Sequence, residues 1–135
     1  MAETLLVDTN VLLDVVEDDP EWADWSERQL TTQALRCRLI VNPVIYAELS
    51  IGFARIEELE RVLETAAIAV EPIPRPALFL AGKVFQKYRG RGGRKTGVLP
   101  DFFIGAHAAV AGLALLTRDV GRYRAYFPTV TLIAP

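Results

Sequence analysis

The sequence predicts a three-layer α/β fold, a parallel sheet with helices on both faces, and three observations carry that prediction. Five short apolar runs punctuate the 135 residues: Thr4-Leu5-Leu6-Val7, Arg38-Leu39-Ile40-Val41, Ile68-Ala69-Val70, Leu113-Ala114-Leu115-Leu116-Thr117 and Val130-Thr131-Leu132-Ile133. The runs are continuous rather than alternating, which is the pattern of strands buried on both faces. Helix-like segments separate each run from the next, and such connections imply right-handed crossovers between parallel strands.

The elements follow in order. The first strand ends at Asp8, and a helical segment covers 11–17. Asp18-Asp19-Pro20 breaks the chain and opens a helix to Leu35: proline suits the first helical position, Asp19 can cap it, and Glu21 and Asp24 complement the helix N-terminus. After the second strand, Asn42-Pro43 opens a helix through Phe53, and 56–65 forms an amphipathic one. The third strand is closed by prolines 72, 74 and 76, and a long helix covers 77–88. Arg89-Gly90-Arg91-Gly92-Gly93-Arg94-Lys95 is a basic, glycine-rich loop. Pro100-Asp101 opens a small-residue helix to Ala111, Gly112 can end it, the fourth strand follows, and a short helix over 120–126 precedes the fifth.

Composition narrows the classes. With 51% hydrophobic residues the chain is expected to be one domain over 1–135 with a real core, which excludes disorder, a fibrous repeat or a disulfide-stapled miniprotein. Charge or proline interrupts every apolar stretch before the ~20 residues of a membrane-spanning helix, and Met1-Ala2-Glu3 lacks the basic start of a signal peptide, so a cytoplasmic protein without membrane contact is expected. Cys37, the single cysteine, reads as a small buried hydrophobe. The formal net charge of −2 conceals a division: residues 1–64 hold 14 acids and 5 bases, a net of −9, and residues 65–135 hold 3 acids and 10 bases, a net of +7. A basic half can attract phosphate and an acidic half cations, although differently charged helix faces produce the same asymmetry.

In a doubly wound sheet, ligands bind beyond the carboxyl ends of the strands, where strand order reverses. Asp8 follows strand one in Val7-Asp8-Thr9-Asn10, and Asp119 follows strand four in Leu116-Thr117-Arg118-Asp119. Asp101 lies in the first turn of the helix feeding strand four, and Glu48 on the helix after strand two. Singly, Asp8 could be a helix cap, Asp101 a complement to its helix dipole and Asp119 the start of a turn. Glu48 is harder to dismiss, because Val44-Ile45-Tyr46-Ala47-Glu48-Leu49 is otherwise apolar and an unpaired buried carboxylate is costly; its alternative is a buried salt bridge. Two unit charges ~4 Å apart repel by roughly 4 kcal/mol at an effective dielectric of 20, so a carboxylate cluster must raise its own pKa values or recruit cations. Oxygen-only ligands select Mg²⁺ or Mn²⁺ over zinc, and the matching chemistry is metal-assisted phosphodiester hydrolysis.

With Asp8-Thr9-Asn10, Glu48 within Ile45-Tyr46-Ala47-Glu48-Leu49, Leu99-Pro100-Asp101-Phe102-Phe103-Ile104-Gly105-Ala106-His107-Ala108 and Leu116-Thr117-Arg118-Asp119 placed, the chain resembles the PIN-domain nucleases. More narrowly, it is similar to the VapC toxins of bacterial and archaeal toxin–antitoxin pairs. No single motif is specific; four in family order across essentially the whole chain carry the resemblance. It implies a five-stranded parallel sheet in order 3-2-1-4-5, Mg²⁺- or Mn²⁺-dependent cleavage of RNA, a homodimer, and a separate cognate antitoxin, a small DNA-binding protein whose tail occupies the acidic groove. By position Asp8, Glu48, Asp101 and Asp119 carry over as the acidic quartet, with Asp8 and Asp101 as direct metal ligands and Glu48 and Asp119 completing the site directly or through water. Thr9, Asn10 and Thr117 are supporting candidates that orient a carboxylate or a water.

Other residues carry two readings. Arg89, Arg91, Arg94 and Lys95, preceded by Lys83 and Lys87, could grip RNA or antitoxin, with Tyr88 free for base stacking, or form a solvated loop. Arg118 could touch phosphate or balance the acids, whereas Arg122 and Arg124 read as a solvated helix face. His107, among alanines, reads as structural. Trp22 and Trp25, with Gln29, form either an antitoxin groove or core, and Phe102, Phe103 and Ile104 either core or a dimer interface. A phosphoacceptor receiver domain lacks its residues here: strand three runs into Glu71-Pro72 and strand five has no lysine. A haloacid-dehalogenase-type phosphatase is disfavoured because Asn10 stands where its second aspartate belongs. The remaining alternatives are a PIN nuclease of RNA processing and a non-catalytic PIN binding module.

Overall fold

The computed structural model describes residues 3–95 and 97–135. The elements are β1 (Glu3–Val7), α1 (Thr9–Val16), α2 (Ala23–Ala34), β2 (Cys37–Val41), α3 (Pro43–Ser50), α4 (Ile56–Thr65), β3 (Ile68–Val70), α5 (Arg75–Gly90), α6 (Leu99–Ala111), β4 (Ala114–Leu116), α7 (Gly121–Tyr126) and β5 (Leu132–Ile133). The sheet is wholly parallel in order β3-β2-β1-β4-β5, as the resemblance implies. β1 and β4 are therefore neighbours at the point where strand order reverses, with Val7 opposite Leu116.

The continuous apolar runs behave as strands covered on both faces. Leu5, Leu6, Val7, Leu39, Ile40, Val41, Leu115 and Leu116 are all buried and belong to one core with residues of α1, α3, α4, α5 and α6. Their alternate side chains point to opposite layers, so burial of consecutive residues requires helices on both sides.

Several boundaries differ from the sequence expectation for local reasons. α1 begins two residues early, at Thr9, because Asp8 itself is the cap and accepts from the Thr9 N–H. α2 begins at Ala23 rather than at Pro20: Asp18 takes a positive φ of 50°, and Asp19 uses its side chain to accept from the backbone N–H groups of Glu21 and Trp22, closing a turn before the helix. α3 stops at Ser50, where the hydroxyl donates to the Ala47 carbonyl. α5 runs two residues beyond Tyr88, so Arg89 belongs to a helix and the loop is shorter than expected. α6 ends as predicted on Gly112, whose φ of 66° is left-handed. Cys37 is half-buried at the start of β2, not a core residue. Among the described residues, no helix is long and apolar enough to cross a membrane.

Candidate active site

The register of β1 and β4 builds the centre of the site. The ladder runs one residue past each strand: the Asp8 N–H donates to Leu116 O at 2.9 Å, and the Thr117 N–H to Ile133 O at 3.0 Å. Asp8 and Thr117 are thereby placed side by side at adjoining strand ends. Asp8 is only 4% exposed. Its Oδ1 accepts from the Thr9 N–H at 2.8 Å, and its Oδ2 accepts from the Thr117 hydroxyl at 2.8 Å, the Tyr123 hydroxyl at 3.0 Å and, at longer range, Asn10 Nδ2 at 3.4 Å. Burial raises the Asp8 pKa from 3.8 to about 6; the bonds from Thr117 and Tyr123 oppose the rise, and the charge of Asp101 adds to it. The Thr117 hydroxyl, having donated to Asp8, accepts from the Asp119 N–H at 3.1 Å, which ties the loop after β4 to the same carboxylate.

Three further acids surround this centre. Glu48, half-buried on α3, accepts from the Thr9 hydroxyl at 2.6 Å; burial raises its pKa, the Thr9 bond opposes that, and Asp101 adds to it. Asp101, in the first turn of α6, accepts from Arg122 Nη1 at 2.5 Å. Its pKa is raised by burial against the pull of Arg122, with Asp119 adding to the rise. Asp119 is exposed on the loop after β4. Asp101 is thus the hub, since its charge is felt at Asp8 and Glu48 and it feels Asp119.

The supporting candidates lie where the sequence put them, each in contact with the quartet: Thr9 with Glu48, Asn10 with Asp8 and, at 3.4 Å, with Thr117, and Thr117 with Asp8. Three other expectations need correcting. Arg118, a candidate for touching phosphate or balancing the acidic cluster, instead pairs outside the quartet: its Nε donates at 2.8 Å to Asp14, a carboxylate 2% exposed that also accepts from Ser26 Oγ at 2.7 Å, and its guanidinium lies over the Trp22 ring. Arg122, read as a solvated surface residue, pairs with Asp101. Tyr88 is not free for base stacking: its ring packs among Phe85, Phe102 and Tyr126, and a Cβ on Gly93 would meet it at 2.4 Å.

Arg89 and Arg91 are exposed, with guanidinium groups over Phe85 and Tyr126, and Arg94 and Lys95 are exposed beside them. His107 is structural, as expected. Asn42 caps α3 by accepting from the Ile45 N–H, so its amide donates to His107 Nδ1 at 3.1 Å, and burial lowers the histidine's pKa. Trp25 packs on the core and meets Trp22 edge-on. Phe102 and Ile104 are core, while Phe103 walls an open apolar groove beside Glu48 with Val44, Ala47, Leu99 and Pro100.

Sequence reasoning passed over Tyr123, which is 2% exposed and whose phenol is held protonated, as a donor, chiefly by burial and by the charge of Asp8. It also passed over Asp14. The signal was available there, because Val11-Leu12-Leu13-Asp14-Val15-Val16 is as apolar around its acid as the segment around Glu48.

The donor chemistry of the quartet fits a hard divalent cation: every side chain is a carboxylate, and the one histidine is committed elsewhere. Among the described residues, no three acidic, His or Cys side chains stand close enough to form a ready-made cage. Glu48 and Asp101 each already hold an internal donor, Thr9 and Arg122, that a cation would have to share or displace.

A parallel sheet in this order, with acids at the β1–β4 switch point, defines the class, and residues 5–128 match the family model of the PIN domain: the chain belongs to that family. Among solved structures, it is similar to VapBC2 of Rickettsia felis bound to a promoter DNA fragment, at 16% identity, with 98% of each chain covered and a TM-score of 0.74. It is likewise similar to VapBC-1 of nontypeable Haemophilus influenzae, at 18% identity, 97% of each chain and 0.71, and to a toxin–antitoxin complex of Klebsiella pneumoniae, at 23%, covering 94% of this chain and 95% of that one, and 0.66. At such identities the likeness is one of fold. No curated protein sequence matches the chain.

Proposed function

We propose that the protein is a Mg²⁺- or Mn²⁺-dependent endoribonuclease, the toxin of a VapC-type toxin–antitoxin pair. One observation carries the nuclease reading: four carboxylates from four separate segments surround the β1–β4 switch point and are coupled in charge through Asp101. Membership of the PIN family supports it, and structural neighbours solved as toxin–antitoxin complexes support the toxin role.

Asp8 and Asp101 would hold the cation, with Glu48 and Asp119 completing the site. The bound ion would activate water for attack on phosphorus and neutralise charge on the phosphate. The protein's own contribution is orientation. Thr117, Tyr123 and the Thr9 N–H aim the Asp8 carboxylate, the Thr9 hydroxyl aims Glu48, and Thr117 ties the Asp119 loop to Asp8. Arg89, Arg91, Arg94 and Lys95 are proposed contacts for the RNA backbone or the antitoxin. Arg118 acts indirectly, by bracing the loop between Thr117 and Asp119 against buried Asp14. A homodimer and a separate antitoxin complete the proposal.

The test is incubation of purified protein with structured RNAs in Mg²⁺ or Mn²⁺. Cleavage is expected, with loss in EDTA and in Asp8→Asn; cleavage that survives either would overturn the mechanism. Growth arrest on expression, relieved by Asp8→Asn, separates a toxin from a nuclease of RNA processing.

A further inference from the structure

Resting on the divalent-cation reading, we infer that Arg122 is a counter-ion built into the site, which competes with the cation for Asp101 and so sets how tightly the cation binds. Arg122 Nη1 lies 2.5 Å from Asp101 Oδ2, and the two side chains are 26% and 30% exposed, so the pair is partly shielded rather than freely solvated. Such charge-assisted bonds are among the stronger hydrogen bonds, and a guanidinium cannot relieve its charge by losing a proton.

Three features single out this arginine. Asp101 is the acid whose charge reaches Asp8 and Glu48, so a cation placed on it acts on the whole group. The other base nearby, Arg118, is tied to Asp14. Arg122 and Tyr123 are successive residues of α7, and they hold two different acids of the site, Asp101 and Asp8. One short helix thereby holds both of the acids that would be the direct ligands of the cation.

Two cations cannot share Asp101 Oδ2 at full strength. Whichever oxygen of Asp101 it took, a cation there would share the carboxylate's charge with the guanidinium and be repelled by it, so any weakening of the arginine bond is subtracted from cation binding. The binding constant is therefore lower than the carboxylates alone would give.

Mn²⁺ binding to the full chain, freed of metal by EDTA and dialysis, tests this by isothermal calorimetry at low temperature and by the rise in Tm with added Mn²⁺. The proteins are wild type, Arg122→Gln, Arg122→Lys and Arg122→Met, the last keeping an apolar stem so that a folding defect in one variant does not decide the result. Arg122→Gln and Arg122→Met are expected to melt lower than wild type in EDTA, to gain more in Tm from Mn²⁺, and to bind it about fivefold more tightly or better. Arg122→Lys, which keeps the charge, stays near wild type. Affinity equal to or weaker than wild type in the neutral variants overturns the role of Arg122 while leaving the cation reading intact. Absence of Mn²⁺ binding in wild type itself overturns both.

Discussion

Asp8 sits where β1 passes into α1, and its carboxylate is fixed by the Thr9 N–H and by the hydroxyls of Thr117 and Tyr123. Its pKa in the fold, about 6, is above the ordinary 3.8, so the folded protein keeps that proton to higher pH than the unfolded chain does. The stability that follows is fully present below the unfolded pKa and is lost as pH rises through the folded one. Glu48 and Asp101 are raised too and carry the same sign. In EDTA, Tm should therefore carry a component that falls between pH 4 and about 6.5, and Asp8→Asn should remove much of it, leaving the variant more stable than wild type at pH 7 by up to roughly 3 kcal/mol. Parallel profiles for the two proteins would contradict the burial argument. Tyr123→Phe deletes a donor to the same carboxylate. It is expected to cost roughly 1–2 kcal/mol in urea unfolding and to shift the pH–rate profile of RNA cleavage to higher pH, because Asp8 then holds its proton longer; an unshifted profile would reduce Tyr123 to a packing role.

The elements that carry the site owe their positions to close packing. Gly105 on α6 faces Phe127 just beyond α7, and a Cβ there would meet the ring at 2.3 Å. Gly105→Ala should destabilise the fold by about 1–3 kcal/mol in urea unfolding, since the ring is buried and cannot swing clear; an unchanged midpoint would mean that α6 and the Phe127 turn separate easily. Strands were readable because a strand covered on both faces needs nothing but apolar residues, and the acids that follow them stand out against such runs. Helix starts were less readable where a side chain closes a turn first, as Asp19 does ahead of α2. Least readable were contacts between helices. Nothing local marks Arg122 as a partner of an acid 21 residues earlier, because that pairing is set by how α7 crosses α6. Periodicity shows which face of a helix is apolar, not what the polar face meets.

At the scale of the whole molecule, the division into a −9 and a +7 half acquires a structural meaning. Asp8 and Glu48 come from the acidic half, and Asp101 and Asp119 from the basic half, joined by the pairing of β1 with β4. The scarcity of acids in the second half was the more informative signal: of Glu71, Asp101 and Asp119, the last two reach the site, and Glu71 pairs with Arg38 at the β2–β3 edge of the sheet. Charge counts could not show that Arg118 and Arg122, also from the basic half, pair with the internal acids Asp14 and Asp101. If these carboxylates direct water onto phosphorus with a divalent cation, the chemistry of the product ends will record it. Hydrolysis by activated water leaves a phosphate monoester on one fragment and a free hydroxyl on the other, without using the ribose 2′-hydroxyl. End-labelled RNA cleaved by the purified protein in Mn²⁺ should yield only such ends, and none with Asp101→Asn; fragments ending in a 2′,3′-cyclic phosphate, formed equally by Asp101→Asn, would contradict it.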